Sequence, residues 1–442
     1  YLPSLQVNFQ HYDWTHRHIS ASLTSLAAFG RLFVTPQPDG MYRPLTFISL
    51  WADYRLFGDQ LWGYHLQGIA LHMLNAALVG VLAVRLGMAR PAGRLAALVF
   101  GVASIHFEAV VWPAARFDLL ATTFTCLALI FFLRFWRAEG VRLGHASICL
   151  LSFTAAVLNK ETAYSAVLVI AALVATHRLW KLESSGRSKS LVLFAALIAC
   201  AGALLTLRWA LFSGIGGYGS APISAKSCYL LVVNTLTLSV FGINASAPPS
   251  VWRAVTVTGF VCVILGISFA YPGSRDRRKW ALVLFALLSA VPAVNVIGWI
   301  QPSLMHSRHV YWPSVWTTLL FVLLAGRRCP AVLMSLFLLV QAAALTYNIS
   351  AWRNVIATAD NLAQQIAHDT RTAQVAKPGI VLLGVPEHLD GVLYFGPELE
   401  SRIRRSIAGA TVERSLPEHS PAFAYRWDSA SRSLIRDSSP LQ

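Results

Sequence analysis

Stretches of about 20 mostly apolar residues, the length a helix needs to cross a bilayer, recur along most of this 442-residue chain. They lie at 62–84, 95–112, 119–136, 146–159, 162–177, 190–212, 251–272, 280–300, 309–326 and 331–348, with soft ends. Such a series excludes a soluble enzyme carrying one anchor. Composition agrees: 13% of the residues are charged, against about 25% in an ordinary soluble domain.

A net charge of +16 would in a soluble chain point to nucleic acid. Its distribution points elsewhere. Every second connection is basic: Arg85/Arg90/Arg94, Arg134/Arg137/Arg142, Arg178/Lys181/Arg187/Lys189, Arg275/Arg277/Arg278/Lys279 and Arg327/Arg328. These five loops hold 16 Lys or Arg against three acids, 13 of the net 16 charges. The positive-inside rule places them in the cytoplasm, and no nucleic-acid partner is expected. The N-terminal 61 residues, the intervening loops and everything after 348 then face the outer side. One more apolar run, 224–243, breaks the alternation if it spans, and reads as a re-entrant or interfacial helix or as one arm of a pair. An outer-side start without a visible signal peptide predicts a first spanning helix ahead of Tyr1.

The expected fold is an all-α polytopic membrane protein, about ten spans visible, with a small C-terminal α/β domain. Residues 1–61 form an outer-side loop with amphipathic segments at 19–33 and 44–57, of the kind that lie in the interface. Residues 62–348 are the transmembrane domain, and 349–442 the outer-side domain. The latter opens on an amphipathic helix at 352–370 and continues with strands at 380–383, 392–395 and 422–427 and a helix at 398–407. Cys126, Cys149, Cys200, Cys228, Cys262 and Cys329 show no CxxC spacing and read as small buried hydrophobes rather than disulfides or metal ligands.

Ionisable groups in or beside the bilayer are costly and call for an explanation. Topology gathers a set of them at the outer face: Asp13, Arg43, Glu108, Arg116, Asp118, Lys160, Glu161, His306, Arg308 and His309. Glu108, within an apolar run, reads as a site residue or as a buried partner of Arg116. Asp118 reads equally as a helix cap. Lys160 suits a phosphate as a point charge, and Arg116 or Arg308 as a fork. Asp13, among His11, His16 and His18 without a metal-site spacing, is suited to taking a proton from a hydroxyl. Trp14, Tyr42, Trp62 and Trp112 read as interfacial aromatics or as a platform for a sugar ring.

Six motifs in order carry a resemblance: Tyr42-Arg43-Pro44-Leu45-Thr46, Gly63-Tyr64-His65-Leu66, Leu71-His72-Met73-Leu74-Asn75, His106-Phe107-Glu108 through Trp112 with Arg116-Phe117-Asp118, Asn159-Lys160-Glu161, and Arg308 through Ser314. The chain resembles GT-C type membrane glycosyltransferases, in particular bacterial relatives of the transmembrane-and-TPR O-mannosyltransferases and, more distantly, the protein O-mannosyltransferases. The resemblance implies a multi-pass inner (cytoplasmic) membrane enzyme with its site on the periplasmic or outer side. It implies a polyprenyl-phosphate sugar donor, and a catalytic acid in the first outer loop, where Asp13 stands. The second acid often seen there is Trp14 in this chain, and the small α/β tail replaces the TPR array, so the acceptor (glycan, lipid or protein) stays open.

The expected reaction is inverting transfer, with Asp13 as base and Arg116, Lys160, Arg308 and Arg43 on the donor phosphate. Glu108, Asp118 and Glu161 are supporting acids, and Tyr42, His65, His106, Trp112 and Tyr311 are candidate substrate contacts. Neither a cofactor nor a divalent metal is expected. The alternatives are a transporter or lipid flippase, whose charges would sit at mid-membrane in repeated broken helices, and an inactive scaffold of the same fold.

Overall fold

The computed structural model describes residues 1–37, 41–183, 186–212, 223–238, 242–244, 276–296, 300, 304–325, 330–374, 378–386, 389, 395–413 and 423–436. Three helices precede the first long one: α1 (His11–Ser22), α2 (Leu26–Val34) and α3 (Pro44–Phe57). The expected amphipathic run at 19–33 is thus divided, with Ser25 capping α2 through Ala28 N–H at 3.2 Å. The membrane part begins with α4 (Leu61–Arg85), α5 (Arg90–Val102), the short α6 (Phe107–Val111) and α7 (Arg116–Arg137). Helix α7 is central: it packs on α4 and on α8 (Leu143–Val157) and is buried over most of its length. Then come α9 (Ser165–Ala175), α10 (Arg187–Phe212), α11 (Ala225–Leu238), α12 (Arg278–Ala290), α13 (Ser314–Ala325) and α14 (Ala331–Thr372).

Among the described residues four helices are long and apolar enough to span a membrane (α4, α7 with its preceding turn, α10 and α14), or five if the bent pair α5 and α6 is one span. The chain is a multi-pass membrane protein, and the expectation of ten visible spans is corrected downward. The reason lies in polar breaks within the apolar runs. Helices α8 and α9, 15 and 11 residues long, stop on either side of Asn159-Lys160-Glu161, whose side chains turn inward to polar partners instead of continuing an apolar helix. Helix α13 starts only at Ser314, because 307–310 form a separate tight turn. The run at 251–272 lies outside the described residues. The run at 224–243 contains a helix of 14 residues, shorter than a span. Cys126 and Cys149 are buried as expected, whereas Cys228 is exposed on α11; Cys262 and Cys329 lie outside the described residues.

Between α5 and α6 the axis bends by 48°. A broken helix is tolerated in lipid only where other groups satisfy the freed backbone, and α14 supplies them. Gln341 Oε1 accepts from Ser104 N–H at 3.0 Å, and Asn348 Nδ2 donates to the Ser104 carbonyl at 3.1 Å. The bend delivers Glu108 and the following loop to one end of the helix bundle. Helix α6 then lies against α4 at Gly68, where an added Cβ would stand 2.8 Å from the Val110 carbonyl oxygen. Gly68→Val is expected to push α6 off α4 at a cost of about 1–3 kcal/mol, read as a lower unfolding midpoint in detergent.

Helix α14 runs 42 residues, about 63 Å at 1.5 Å per residue. Its first half exposes Val332, Leu333, Leu336 and Leu339, as a lipid-facing surface does. Its second half buries Trp352, Val355, Ile356, Ala359, Leu362, Ala363 and Ile366, the i, i+3, i+4, i+7 stripe of a helix under a domain. On that stripe sits the tail: β1 (Gly379–Leu383), α15 (Phe395–Ser406), β2 (Thr411–Glu413), β3 (Phe423–Asp428) and β4 (Ser433–Arg436). The sheet order is β2-β1-β3-β4, with β1 parallel to β2 and β3, and β3 antiparallel to β4. Phe395 opens α15 rather than ending a strand; the rest of the strand expected at 392–395 lies outside the described residues. The tail's apolar core is continuous with Phe107, Val111 and Trp112 of the membrane part, so the two are packed as one body of side chains.

Candidate active site

The segment 112–118, the turn after α6 with the first residues of α7, holds Arg116 and Asp118 and meets Asp13, Arg43, Lys160 and Arg308. Ala114 N–H donates to Asp13 Oδ1 at 2.7 Å, while the other carboxylate oxygen of Asp13 accepts from Gln10 N–H at 2.9 Å. Asp13 thus sits in the first turn of α1, where a carboxylate is favoured by the helix dipole, and is pinned to the apex turn. It is buried, and burial pushes its carboxyl up to about 7. The bonds from Gln10 and Ala114 and the Arg116 charge act against that rise, and the Glu398 charge adds to it. A carboxyl in that range is matched to proton transfer near neutral pH.

Arg116 does not pair with Glu108, as nearness in sequence suggested. Its guanidinium is buried against Asp53 of α3 and donates to the Tyr64 carbonyl at 3.0 Å. Burial raises Asp53 to about 6, with Arg116 opposing. Arg116 therefore stands on the Asp13 side of the turn.

Glu108 instead organises the segment 306–310. Its carboxylate accepts from Arg308 Nη1 at 2.5 Å, Arg308 N–H at 2.9 Å, His306 N–H at 3.3 Å and the Ser307 hydroxyl at 3.3 Å. Four donors on one fully buried carboxylate are enough to hold His306 at φ +69, a left-handed conformation uncommon for a residue with a Cβ. The Arg308 guanidinium then lies 4.9 Å from the centre of the Trp112 ring.

A second set surrounds the next residues of the turn. Arg43 and Lys160 both face the Phe117 ring, at 3.8 and 4.9 Å from its centre, and Lys160 Nζ is 2.5 Å from Asp118 Oδ1. Asp118 makes no capping bond to the α7 start, so its role is the lysine rather than the helix end. Arg43 Nη2 is 3.4 Å from Glu161 Oε1, and Arg208 Nη2 is 4.0 Å from Glu161 Oε2. His309 lies within electrostatic reach of Lys160, Arg308 and Arg43. Arg208 was missed in the sequence because it falls inside an apolar run read as a plain span. The signal was there, since a lone arginine in a spanning helix is rarely idle.

The structure therefore brings together Arg43, Lys160, Arg208 and Arg308 with Glu108, Asp118 and Glu161, and places Asp13 and Arg116 across the turn from them. Of the candidate substrate contacts, Trp112 lies at this junction, where its ring also meets Tyr12 edge-on at 6.4 Å, and Tyr42 and Tyr311 lie within electrostatic reach of Arg208 and Asp118. The four besides Trp112 are also tied to other parts of the protein. His65 Nε2 is 2.8 Å from the Val7 carbonyl. His106 lies between the Phe100 carbonyl (3.0 Å) and Ser314 Oγ (2.7 Å). The Tyr311 hydroxyl meets His72 at 2.7 Å and Asn75 at 3.2 Å, and Tyr42 donates to the Phe33 carbonyl at 3.0 Å. Buried polar groups so engaged fix the relative placement of helices. Among the described residues no three His, Cys, Asp or Glu side chains are placed to share a metal ion.

No family model matches the chain. Curated relatives do. Protein O-mannosyl-transferase Tmtc2 of Drosophila melanogaster is 35% identical over 140 residues, 30% of this chain and 15% of its own length. Protein O-mannosyl-transferase TMTC4 of Homo sapiens is 32% identical over 120 residues, 24% of this chain and 16% of its own. The matched stretches thus span about a sixth of those relatives. Among solved structures, ArnT from Cupriavidus metallidurans in the apo state is 16% identical, covering 90% of this chain and 80% of its own with a TM-score of 0.44. The same protein bound to undecaprenyl phosphate is 17% identical, covering 97% and 91% with a TM-score of 0.41. At those scores no residue or ligand position is carried across. The likeness to O-mannosyltransferases carried by the motifs is found again in the curated sequences.

Proposed function

We propose that the chain is an inverting glycosyltransferase of the inner membrane, moving a sugar from a polyprenyl-phosphate donor to an acceptor hydroxyl at the outer face. The observation that carries this reading is the 112–118 segment, which joins one raised, buried carboxyl, Asp13, to cations from three separate segments of the chain, Arg43, Lys160 and Arg308. The printed names of the curated relatives, O-mannosyltransferases, support the same reaction class.

In this mechanism Asp13 accepts the proton of the acceptor hydroxyl as its oxygen bonds to the anomeric carbon. The bond from that carbon to the phosphate oxygen breaks, and the lipid phosphate leaves with the electron pair. Lys160, Arg308, Arg43 and Arg208 meet the growing negative charge, pre-set by Asp118, Glu108 and Glu161 so that little reorganisation is needed at the moment of reaction. Arg116 serves the other side, holding Asp53 and the apex turn on which Asp13 rests. Trp112, beside both groups, offers the sugar an aromatic face.

The test is transfer by the full chain in lipid from a polyprenyl-phosphate hexose, with Lys160→Gln as the comparison. Loss of one such donor costs about 10²–10³ in turnover, and Lys160→Gln is expected to show a loss of that size with a weakened donor KM. Transfer by Lys160→Gln at the wild-type rate contradicts the phosphate site, and no transfer by the wild type from any lipid-linked sugar contradicts the function.

A further inference from the structure

Helix α15 of the tail reaches the helix that carries Asp13. Glu398, 1% exposed, has its carboxylate 2.6 Å from Arg402 Nε and 3.5 Å from Arg405 Nη2. The same two arginines grip the N-terminal segment on both sides of Asp13. Arg402 Nη2 donates to the Phe9 carbonyl at 2.6 Å, one residue before the Gln10 amide that bonds Asp13. The Arg405 guanidinium lies 4.7 Å over the ring of Trp14, one residue after Asp13. Arg402 also pairs with Asp360 of α14, which accepts from Asn8 Nδ2 at 3.1 Å. Docking for stability alone is served by apolar burial, whereas a carboxylate taken out of water carries a desolvation cost. This one is spent beside the base.

We propose that Glu398 is a positioning residue for Asp13: by holding Arg402 and Arg405, which grip Phe9 and Trp14 on either side of Asp13, it fixes α1 against α15. The tail is then a working part of the site rather than an appendage. The proposal rests on the reading of Asp13 as the base. Among the described residues, the charged and titratable groups on α1 and on the segments bonded to it include His16, Arg17 and His18 of α1, Arg116 of α7 with Asp53 of α3, Asp360 of α14, and Glu398, Arg402 and Arg405 of α15. Of these, Glu398 raises the proton affinity of Asp13 and Arg116 lowers it.

Dicyclohexylcarbodiimide modifies protonated carboxyls in apolar surroundings, so its pH-dependent reaction with Asp13, read by mass spectrometry on the full chain in detergent, follows Asp13 without any sugar donor. Glu398→Gln is expected to move the half-labelling pH of Asp13 down by about one unit, a tenfold change in its proton affinity. Glu398→Asp, which keeps the charge, is expected to keep the wild-type midpoint. An unchanged midpoint in Glu398→Gln overturns the proposal, because a merely structural role leaves it in place. Should Glu398→Gln fail to fold, Arg405→Gln tests the grip: amide exchange over residues 8–22 is expected to quicken about tenfold, and unchanged exchange overturns the proposal. The outcomes separate the two readings. A shifted midpoint in a chain that transfers no sugar refutes the transferase reading alone, and full transfer with no shift refutes this one alone.

Discussion

Asp13→Asn is expected to lower the turnover of sugar transfer by about 10²–10⁴, the usual contribution of a positioned general base, with the donor KM little changed. The amide has nearly the shape of the carboxylate, and its oxygen can still accept from Ala114 N–H, so α1 stays anchored to the apex turn. What is lost is the capacity to take a proton, together with the bond that the second carboxylate oxygen accepts from Gln10 N–H. The separation of turnover from donor binding is the useful part. Lys160, Arg308, Arg43 and Arg208 lie across the turn and are untouched, so an Asp13→Asn protein should bind the lipid donor as the wild type does, measured by equilibrium binding of polyprenyl phosphate. A variant that loses binding and turnover together would show Asp13 to be a structural anchor.

The second large effect is on stability. Glu108→Ala removes a fully buried carboxylate on which four donors converge and leaves Arg308 without its ion-pair partner. Breaking one side of a buried ion pair costs about 3–5 kcal/mol, and the His306 turn loses its reason to stay left-handed. The variant is expected to show a much lower thermal midpoint in detergent and no transfer. Replacing both partners, Glu108→Leu with Arg308→Met, is expected to recover only the part of the midpoint lost to the uncompensated charge, because the His306 and Arg308 amides and the Ser307 hydroxyl still lack their acceptor. It should recover no activity, because the cation is gone. Recovery of transfer in the double variant would remove Arg308 from the phosphate site.

How much of this was legible in the sequence follows from the range of the forces involved. Spans and basic loops are local properties of composition, so α4, α7, α10 and α14 were found where the apolar runs lie. The polar breaks at Ser104 and Asn159-Lys160-Glu161 were harder. Each is stable only because a side chain distant in sequence satisfies it, as Asn348 and Gln341 do for Ser104, and so runs that looked like complete spans are shorter helices. Pairing was the least legible. Nearness in sequence offers Arg116 as one partner for Glu108 beside the reading as a site residue, yet its ion-pair partner, Arg308, is 200 residues away, and Arg116 turns to Asp53. The charged residues that the structure gathers at the candidate site are mostly visible as costly charges in apolar surroundings, with Arg208 the omission. The polar residues of the motifs divided in two. Those near the turn carry charge, and His65, His72, Asn75, His106 and Tyr311 lock helices, a difference that spacing alone does not encode. The continuity of α14 from membrane to tail was hidden by the change of composition near 349, although the apolar stripe that runs on through Ile366 was there to be read.

The central claim is that a buried carboxyl, raised by its surroundings, takes the acceptor's proton. Its direct test is the pH dependence of transfer by the full chain in lipid. Asp13 acts as base only when ionised, and its burial holds it to about 7, so turnover should climb tenfold per unit as pH rises toward 7 and level off above it. A turnover that is flat between pH 5 and 8, or an Asp13→Asn variant that follows the wild-type profile, contradicts the account.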